Sequence, residues 1–169
     1  MRIFVLDSDG LIKLVKSSIV ERLLRRFSCF VSSEVYEEVV TKGEVRLYED
    51  AFTVEALVKK NLLEVRRAEE SGRAKVVLSG KEELGLGEKT ALNLFFSLEA
   101  DAIISDDKAF LKVLKENNIP FIIPSEVIAR FVKMKVISKE EGLRSLNMLK
   151  SYINEENYLA AKRVIEGGS

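Results

Sequence analysis

The chain has 169 residues, of which 47% are hydrophobic and 32% charged, a profile typical of one globular domain with a sizeable core. Lysine plus arginine and aspartate plus glutamate both number 27, so the net charge gives no reason to expect steering toward nucleic acid or membrane. The absence of histidine excludes histidine-dependent catalytic triads and histidine ligands for zinc, which leaves carboxylates, lysine, tyrosine, serine or a metal for any catalysis.

Short apolar runs alternate with amphipathic stretches along the chain, a pattern that predicts an α/β fold. The predicted strands span residues 2–6, 29–31, 62–66, 102–105 and 121–123. The predicted helices span residues 11–27, 33–41, 47–60, 87–99, 109–116, 125–136 and 139–165. Ser32 or Ser33 is positioned to cap the second of these helices. The polar stretch 69–75 and the turn 80–87 are predicted to be mobile.

The single cysteine and the apolar runs bear on the cellular compartment. Cys29 excludes an intramolecular disulfide, and its apolar neighbours Phe30 and Val31 predict a buried thiol in a reducing environment. No apolar run approaches the roughly 20 residues needed to span a bilayer, and the N-terminus lacks a signal-peptide pattern. We therefore expect a cytoplasmic protein without a membrane anchor.

Acidic residues stand at the ends of the predicted apolar segments. Asp7 and Asp9 follow the first strand, Asp106 and Asp107 close the segment that begins at residue 102, and Glu88 opens a helix. Ligands of parallel sheets gather at the carboxyl ends of the strands, so Asp7 and Asp107 are expected to meet if their strands are neighbours. Several carboxylates withdrawn from water are most often paired with a hard divalent cation. A metal site is therefore the leading hypothesis.

Helical phase gives partial guidance on the glutamates. Glu88 falls on the apolar side of its predicted helix, whereas Thr90 is predicted to lie on the opposite, polar side. The helix dipole also favours a carboxylate in the first turn of a helix, and this alone would ordinarily explain an acidic residue at position 88. In the helix 33–41, Glu37 and Glu38 flank the apolar positions about equally, so phase does not choose between them.

Four segments, in this order, resemble the PIN-domain nuclease family. They are IFVLDSDGLI at 3–12, VYEEV at 35–39, LGE at 86–88 followed by Ala91, and ADAIISDDK at 100–108. The resemblance covers about residues 1–125, and the tail 130–167 is similar to the helical ending of an archaeal and bacterial branch of the family. It implies a three-layer α/β/α sandwich with a central parallel sheet. We expect a single domain over 1–169, with a core of about 1–125 and extra C-terminal helices at about 126–166.

Members of the family are ribonucleases with an acidic pocket that binds Mg²⁺ or Mn²⁺. By position, the resemblance implies that the catalytic and metal-binding acids are Asp7, Glu38, Glu88 and Asp107. It thereby selects Glu38 over Glu37. Asp106 is the alternative to Asp107, because the family pattern of a hydroxyl residue, any residue and aspartate leaves a frame ambiguity at 105–107. Asp9 is a further candidate ligand at a place where the family often has Ser, Asn or Thr.

The expected function is that of a metal-dependent endoribonuclease. A divalent ion activates water for in-line attack on a phosphodiester, and a second ion about 4 Å away would stabilise the leaving oxygen. Ser8 and Ser105 are expected to contribute hydroxyls. Candidate contacts to the RNA backbone are Lys13, Lys16, Arg22, Arg25, Arg26, Lys108 and Lys112. The resemblance also implies a homodimer. A further hypothesis is the toxin of a toxin–antitoxin pair, with the antitoxin protein covering the acidic pocket.

Two alternatives to the nuclease stay open at this point. The run Asp7-Ser8-Asp9-Gly10 also resembles the nucleophile loop of haloacid-dehalogenase-type phosphatases, in which Asp7 would attack phosphorus and Asp9 would act as acid and base. Against it, Leu11 stands where that family usually has Thr or Val, and the glutamates would have no role. The other alternative is a catalytically idle PIN-like module that binds RNA or a protein.

Overall fold

The structure, a computed structural model, describes residues 1–45 and 48–168. Its strands are β1 Ile3–Leu6, β2 Ser28–Ser32, β3 Glu64–Arg66, β4 Ala102–Ile104 and β5 Phe121–Ile122. They form one parallel sheet in the order β3-β2-β1-β4-β5. The predicted α/β fold with a central parallel sheet is confirmed.

Helices connect and flank these strands. They are α1 Ser8–Lys16, α2 Val20–Arg26, α3 Ser33–Tyr36, α4 Lys42–Val45, α5 Glu49–Lys59, α6 Gly72–Leu78, α7 Leu86–Ser97, α8 Lys108–Glu116, α9 Pro124–Lys133, α10 Lys139–Leu149 and α11 Glu155–Ile165. A π-helical turn, Glu37–Thr41, joins α3 to α4. None of the helices formed by the described residues is long and apolar enough to cross a bilayer.

Side chains of the strands alternate between the two faces of the sheet, as the two-residue period of a strand requires. Val5, Phe30 and Ile103 pack against α6, α7 and α8 on one face. Phe4 and Leu6 lie on the other face, in a core shared with α1, α2, α5 and the C-terminal helices. Helices therefore cover both faces, and this explains why the central strands are continuous apolar runs in the sequence.

Several predicted boundaries differ from the structure. The predicted helix 11–27 is two helices, because Ser18 adopts a left-handed conformation with φ 63° and the Ser17 hydroxyl donates to the Leu14 carbonyl at 2.7 Å. The predicted helix 139–165 is also two, since Asn154 caps a new helix by accepting the Asn157 N–H at 2.7 Å. Helix α6 forms within and beyond the stretch predicted to be mobile. Residue 47, the predicted start of a helix, lies outside the described residues.

The C-terminal helices pack onto the same sheet face as α1 and α2. Val127, Ile128 and Phe131 of α9 belong to the core cluster that contains Phe4, and so does Tyr158 of α11. Helix α10 begins with a capping box between Ser138 and Glu141. The C-terminal helices thus bury apolar surface of the sheet itself.

Candidate active site

The acidic residues after β1 and β4 lie at the point where the sheet order reverses. Leu6 pairs with Ile104, and the Asp7 N–H donates to the Ile104 carbonyl at 3.3 Å. The chain leaves β1 toward β2 on one side, while β4 lies on the other side of β1. Asp7 and Ser105 therefore stand side by side at the carboxyl edge of the sheet, where ligands of open parallel sheets bind.

Asp7 is fully buried and caps helix α1. Its Oδ1 accepts the Gly10 N–H at 2.7 Å, and its Oδ2 accepts a hydrogen bond from the Ser105 hydroxyl. Burial raises the pKa of Asp7 to about 8, with a contribution from the charges of Asp9 and Glu88, and the two hydrogen bonds oppose this rise. Burial without a cation partner thus favours the neutral carboxyl group at this position.

Glycine at position 10 permits the close approach of α1 to β4. A Cβ atom there would lie 2.3 Å from the Ile104 carbonyl oxygen, a backbone atom that the sheet holds in place. Any other residue would push α1 away from the sheet edge. The glycine therefore sets the position of Asp7 relative to the strand that precedes Ser105.

Ser105 connects Asp7 to Asp107. Its hydroxyl donates to Asp7 and accepts the Asp107 N–H at 3.1 Å. The Oδ1 of Asp107 accepts the Phe110 N–H at 2.8 Å and so caps helix α8. Two helix N-termini and two carboxylates are therefore held together through one buried serine.

Glu38 lies in the π-helical turn and reaches the start of α1. The Ser8 hydroxyl donates to Glu38 Oε2 at 2.9 Å. Gly87 leaves room for this pair, since a Cβ atom there would lie 3.1 Å from Glu38 Oε2 and 3.4 Å from Ser8 Oγ. Glu88, in the first turn of α7, is close enough to Asp7 for its charge to raise the Asp7 pKa.

A buried hydroxyl pair holds the start of α7 against the sheet. The Ser32 and Thr90 hydroxyls are 2.8 Å apart, and Thr90 also donates to the Leu86 and Gly87 carbonyls. The prediction that Thr90 lies on the polar side of its helix is wrong, because these bonds satisfy its hydroxyl inside the protein. Ser32 also caps α3 by accepting the Val35 N–H at 3.1 Å.

An open groove of about 540 Å³ runs past these carboxylates. Its acidic lining residues are Glu34, Glu37, Glu38, Glu83, Glu88 and Asp107. Lys42 contributes a positive charge to the same groove. We call this surface the acidic groove. Asp7 is buried behind it rather than exposed in it.

Sequence reasoning missed three residues of the acidic groove, namely Glu34, Glu83 and Lys42. Glu34 precedes Glu38 by four residues, a spacing that places two side chains on one helical face and that was available in the sequence. Its Oε2 is buried and has no hydrogen-bond partner among the residues that the structure describes. Glu83 lies in the turn before α7, and Lys42 lies at the junction of the π-helical turn with α4. No regular periodicity indicates the direction of side chains at such places.

The two remaining candidate ligands, Asp9 and Asp106, share a lysine. Lys13 Nζ lies 3.0 Å from Asp9 Oδ2 and 2.8 Å from Asp106 Oδ2, and neither aspartate lines the acidic groove. Partial burial opposes the charge of Lys13, but the hydrogen bonds to both aspartates raise its pKa overall. Burial raises the pKa of Asp106 despite the bond from Lys13. We call this cluster the Lys13 bridge.

Most of the cations predicted to contact RNA are engaged in ion pairs. Lys16 pairs with Asp50 at 2.7 Å, Arg22 with Glu141 at 2.7 Å and Arg25 with Glu21 at 2.6 Å. These pairs are exposed or half-buried, so they cost little to open.

The donor set suits a hard divalent cation. No three His, Cys, Asp or Glu side chains of the described residues stand close enough together to hold one ion by themselves. Magnesium, however, keeps several waters and is usually held by one or two carboxylates. A nearby positive charge would stabilise the carboxylate oxygens of the groove, the buried Glu34 Oε2 and the buried Asp7. The residues present therefore fit such a cation.

Comparisons with known proteins gave one match, to a family model. A search of curated proteins and a search of solved structures gave no match. A family model described as a PIN domain matches residues 3–166, nearly the whole chain. Proteins with this domain are in general nucleases, and they typically use divalent metals. The chain therefore belongs to the PIN-domain family.

Proposed function

We propose that this protein is a Mg²⁺- or Mn²⁺-dependent endoribonuclease that hydrolyses RNA phosphodiester bonds at the acidic groove. The observation that carries the proposal is the gathering of carboxylates from four separate elements at the carboxyl ends of the neighbouring strands β1 and β4. Burial, with a smaller contribution from the charges of Asp9 and Glu88, raises the pKa of Asp7 to about 8, so a nearby cation would stabilise its ionised form. Family membership favours this chemistry over that of the phosphatase alternative.

We assign to Glu38, Glu88 and Asp107, which face the groove, and to Asp7 behind them the role of holding the cation, in part through water molecules that it keeps. The cation would supply positive charge at the scissile phosphate and activate a water molecule for attack. Ser8 orients Glu38, and Ser105 orients Asp7, through the hydrogen bonds described above. Lys42 offers a positive charge to the phosphate backbone of the RNA.

The test compares cleavage of labelled single-stranded RNA by the wild type and by Asp7→Asn and Glu88→Gln, with Mn²⁺ or with EDTA. We expect both variants to lose the activity while keeping the circular dichroism spectrum of the wild type, because they remove ligands rather than packing. Glu69→Gln is the matched control, since Glu69 is exposed and lies outside the acidic groove. It should cleave RNA as the wild type does.

Contaminating ribonuclease is the main hazard of this experiment, and it would affect all variants equally. Equal cleavage by the wild type, Asp7→Asn and Glu88→Gln that requires Mn²⁺ and stops in EDTA would contradict the proposal. A parallel assay with para-nitrophenyl phosphate tests the phosphatase alternative, because a phosphatase would hydrolyse this phosphomonoester. Binding of RNA without cleavage in Mn²⁺ would instead indicate an idle module.

Further parts of the proposal rest on the resemblance to the family. We propose that the protein is the toxin of a toxin–antitoxin pair, acts in the cytoplasm as a homodimer, and is inhibited by an antitoxin protein that covers the acidic groove. Co-expression with the product of a neighbouring gene, followed by the RNA cleavage assay, tests the inhibition. Sedimentation of the purified protein tests the dimer.

A further inference from the structure

A second cleft, of about 270 Å³, shares no lining residue with the acidic groove. It lies between α2, α9 and the sheet face that carries Phe4. Its apolar walls include Phe4, Phe27, Ile104, Ile122, Phe131 and Met134. The polar side chains among its described lining residues are two arginines, Arg2 and Arg130. We call this surface the arginine cleft.

The two arginines differ in what they bind. Arg130 holds the carboxylate of Glu126, with Nε and Nη2 at 3.0 and 2.6 Å from the same oxygen. Arg2 is exposed, and among the described residues no carboxylate pairs with its side chain. Its backbone is fixed, because the Arg2 carbonyl accepts the Ser28 N–H at 3.1 Å. The cleft thus offers a guanidinium on a fixed backbone, without a carboxylate partner among the described residues, beside a largely apolar surface.

We propose that the arginine cleft binds a small amphiphilic carboxylate, of the kind represented by a medium-chain fatty acid. The alkyl chain would cover the apolar walls, and the carboxylate would accept hydrogen bonds from Arg2, whose planar fork matches two carboxylate oxygens. The volume lies just below the range of about 300–1,000 Å³ that is usual for small-molecule sites, which suits one alkyl chain rather than a bulky cofactor. This site does not depend on the nuclease chemistry of the acidic groove.

Binding to the cleft can be measured through the methyl signals of the methionines, of which the chain has three. Met134 lines the cleft and is 52% exposed, whereas Met148 is similarly exposed, at 49%, on helix α10 and outside the cleft. In protein labelled with ¹³C at the methionine methyl groups, decanoate at pH 8 should shift the Met134 signal and leave the Met148 signal unchanged. Because each buried methylene contributes about fourfold in affinity, octanoate should bind roughly 15-fold more weakly than decanoate.

The role of the charge is tested with Arg2→Ala, which alters an exposed side chain and leaves the core intact. We expect roughly tenfold weaker binding of decanoate by this variant and unchanged binding of the neutral decan-1-ol. Arg67→Ala, at another exposed arginine, should bind decanoate as the wild type does.

Three results would overturn the proposal. One is a Met134 signal that does not move below the micelle concentration of decanoate, or that moves together with the Met148 signal. Another is equal binding of decanoate and decan-1-ol by the wild type. The third is a Met134 signal that shifts with protein concentration in the absence of ligand, which would make the cleft a contact between copies of the chain.

Discussion

At the scale of single residues, Asp7 makes the stability of the metal-free protein depend on pH. Its pKa is raised from 3.8 to about 8 in the folded protein. The folded state therefore retains a proton that the unfolded chain releases, and stability from this group is complete below pH 4 and is lost as the pH rises toward 8. In EDTA, the free energy of unfolding of the wild type should fall over this interval relative to that of Asp7→Asn. The slope of the difference is at most about 1.4 kcal/mol per pH unit.

Urea denaturation of both proteins at several pH values between 4 and 8 measures this difference. The difference between the two proteins removes the contributions that other titrating groups make to the pH dependence of the unfolding free energy. A difference in unfolding free energy that stays constant across the interval would show that Asp7 has an ordinary pKa.

Gly87 gives a second prediction at this scale. In Gly87→Ala, the new methyl group crowds Glu38 Oε2 and Ser8 Oγ, so the carboxylate must move. We expect roughly a tenfold loss of Mn²⁺ affinity, the usual effect of disturbing a group that orients a ligand. The thermal midpoint should not fall, because alanine favours a helix over glycine.

Electron paramagnetic resonance titration of Mn²⁺ measures the affinity in this prediction. Gly72→Ala is the matched control, since Gly72 also lies in the first turn of a helix and a Cβ atom there meets nothing within 4 Å. Unchanged Mn²⁺ affinity in Gly87→Ala would remove Glu38 from the proposed ligands.

At the scale of elements, the Lys13 bridge connects α1, the loop between β4 and α8, and α11. Asn157 of α11 donates to Asp106 at 3.5 Å, on the side away from Lys13. The Lys13 and Asp106 side chains are only 13% and 7% exposed, whereas the Asp9 side chain is 38% exposed. Lys13→Met would therefore leave the Asp106 carboxylate with little water and without its cation. We expect unfolding free energy to fall by roughly 1–3 kcal/mol, and Asp106→Asn in the same chain to restore part of it.

Arg25→Met is the matched control for this cycle. Arg25 also pairs with an acid one helical turn away, but the two side chains are 62% and 44% exposed. Its loss should change unfolding free energy by less than about 0.5 kcal/mol. Additive effects of Lys13→Met and Asp106→Asn in urea unfolding would show that the bridge carries no coupling.

The sequence predicted elements well where one periodicity was uninterrupted. Apolar runs marked β1, β2 and β4, which are buried on both faces, and α7, which is buried on a broad face. The sequence patterns failed where a single residue determines the local structure. The left-handed conformation of Ser18 ends α1, and the hydroxyl of Thr90 forms its hydrogen bonds inside the protein. Phase did not separate Glu37 from Glu38, and a π-helical turn begins at these residues and changes the helical period.

At the scale of the whole molecule, the sequence predicted the parallel sheet but not the side-chain pairs that join distant elements at its carboxyl edge. Acids after two apolar runs indicated a site at the carboxyl edge, and the neighbouring positions of β1 and β4 make that meeting possible. The pairing of Asp106 with Lys13 was not predicted, because it joins side chains of residues that are 93 positions apart in the sequence. Long-range contacts of this kind leave no periodic signal in a single sequence.

We also propose, for the molecule as a whole, that residues 1–169 form one domain. The helices α9 to α11 supply Phe131, Leu149, Tyr158 and Ile165 to the core cluster that covers one face of the sheet. Each such side chain contributes about 1.5–3 kcal/mol on burial, and the whole stability of a small domain is only about 5–15 kcal/mol. A fragment of residues 1–125 should therefore show no cooperative transition in urea, whereas a chain ending at residue 166 should unfold as the full chain does. Cooperative unfolding of the fragment at a similar urea midpoint would make the C-terminal helices a separate unit, added to a core that is stable by itself.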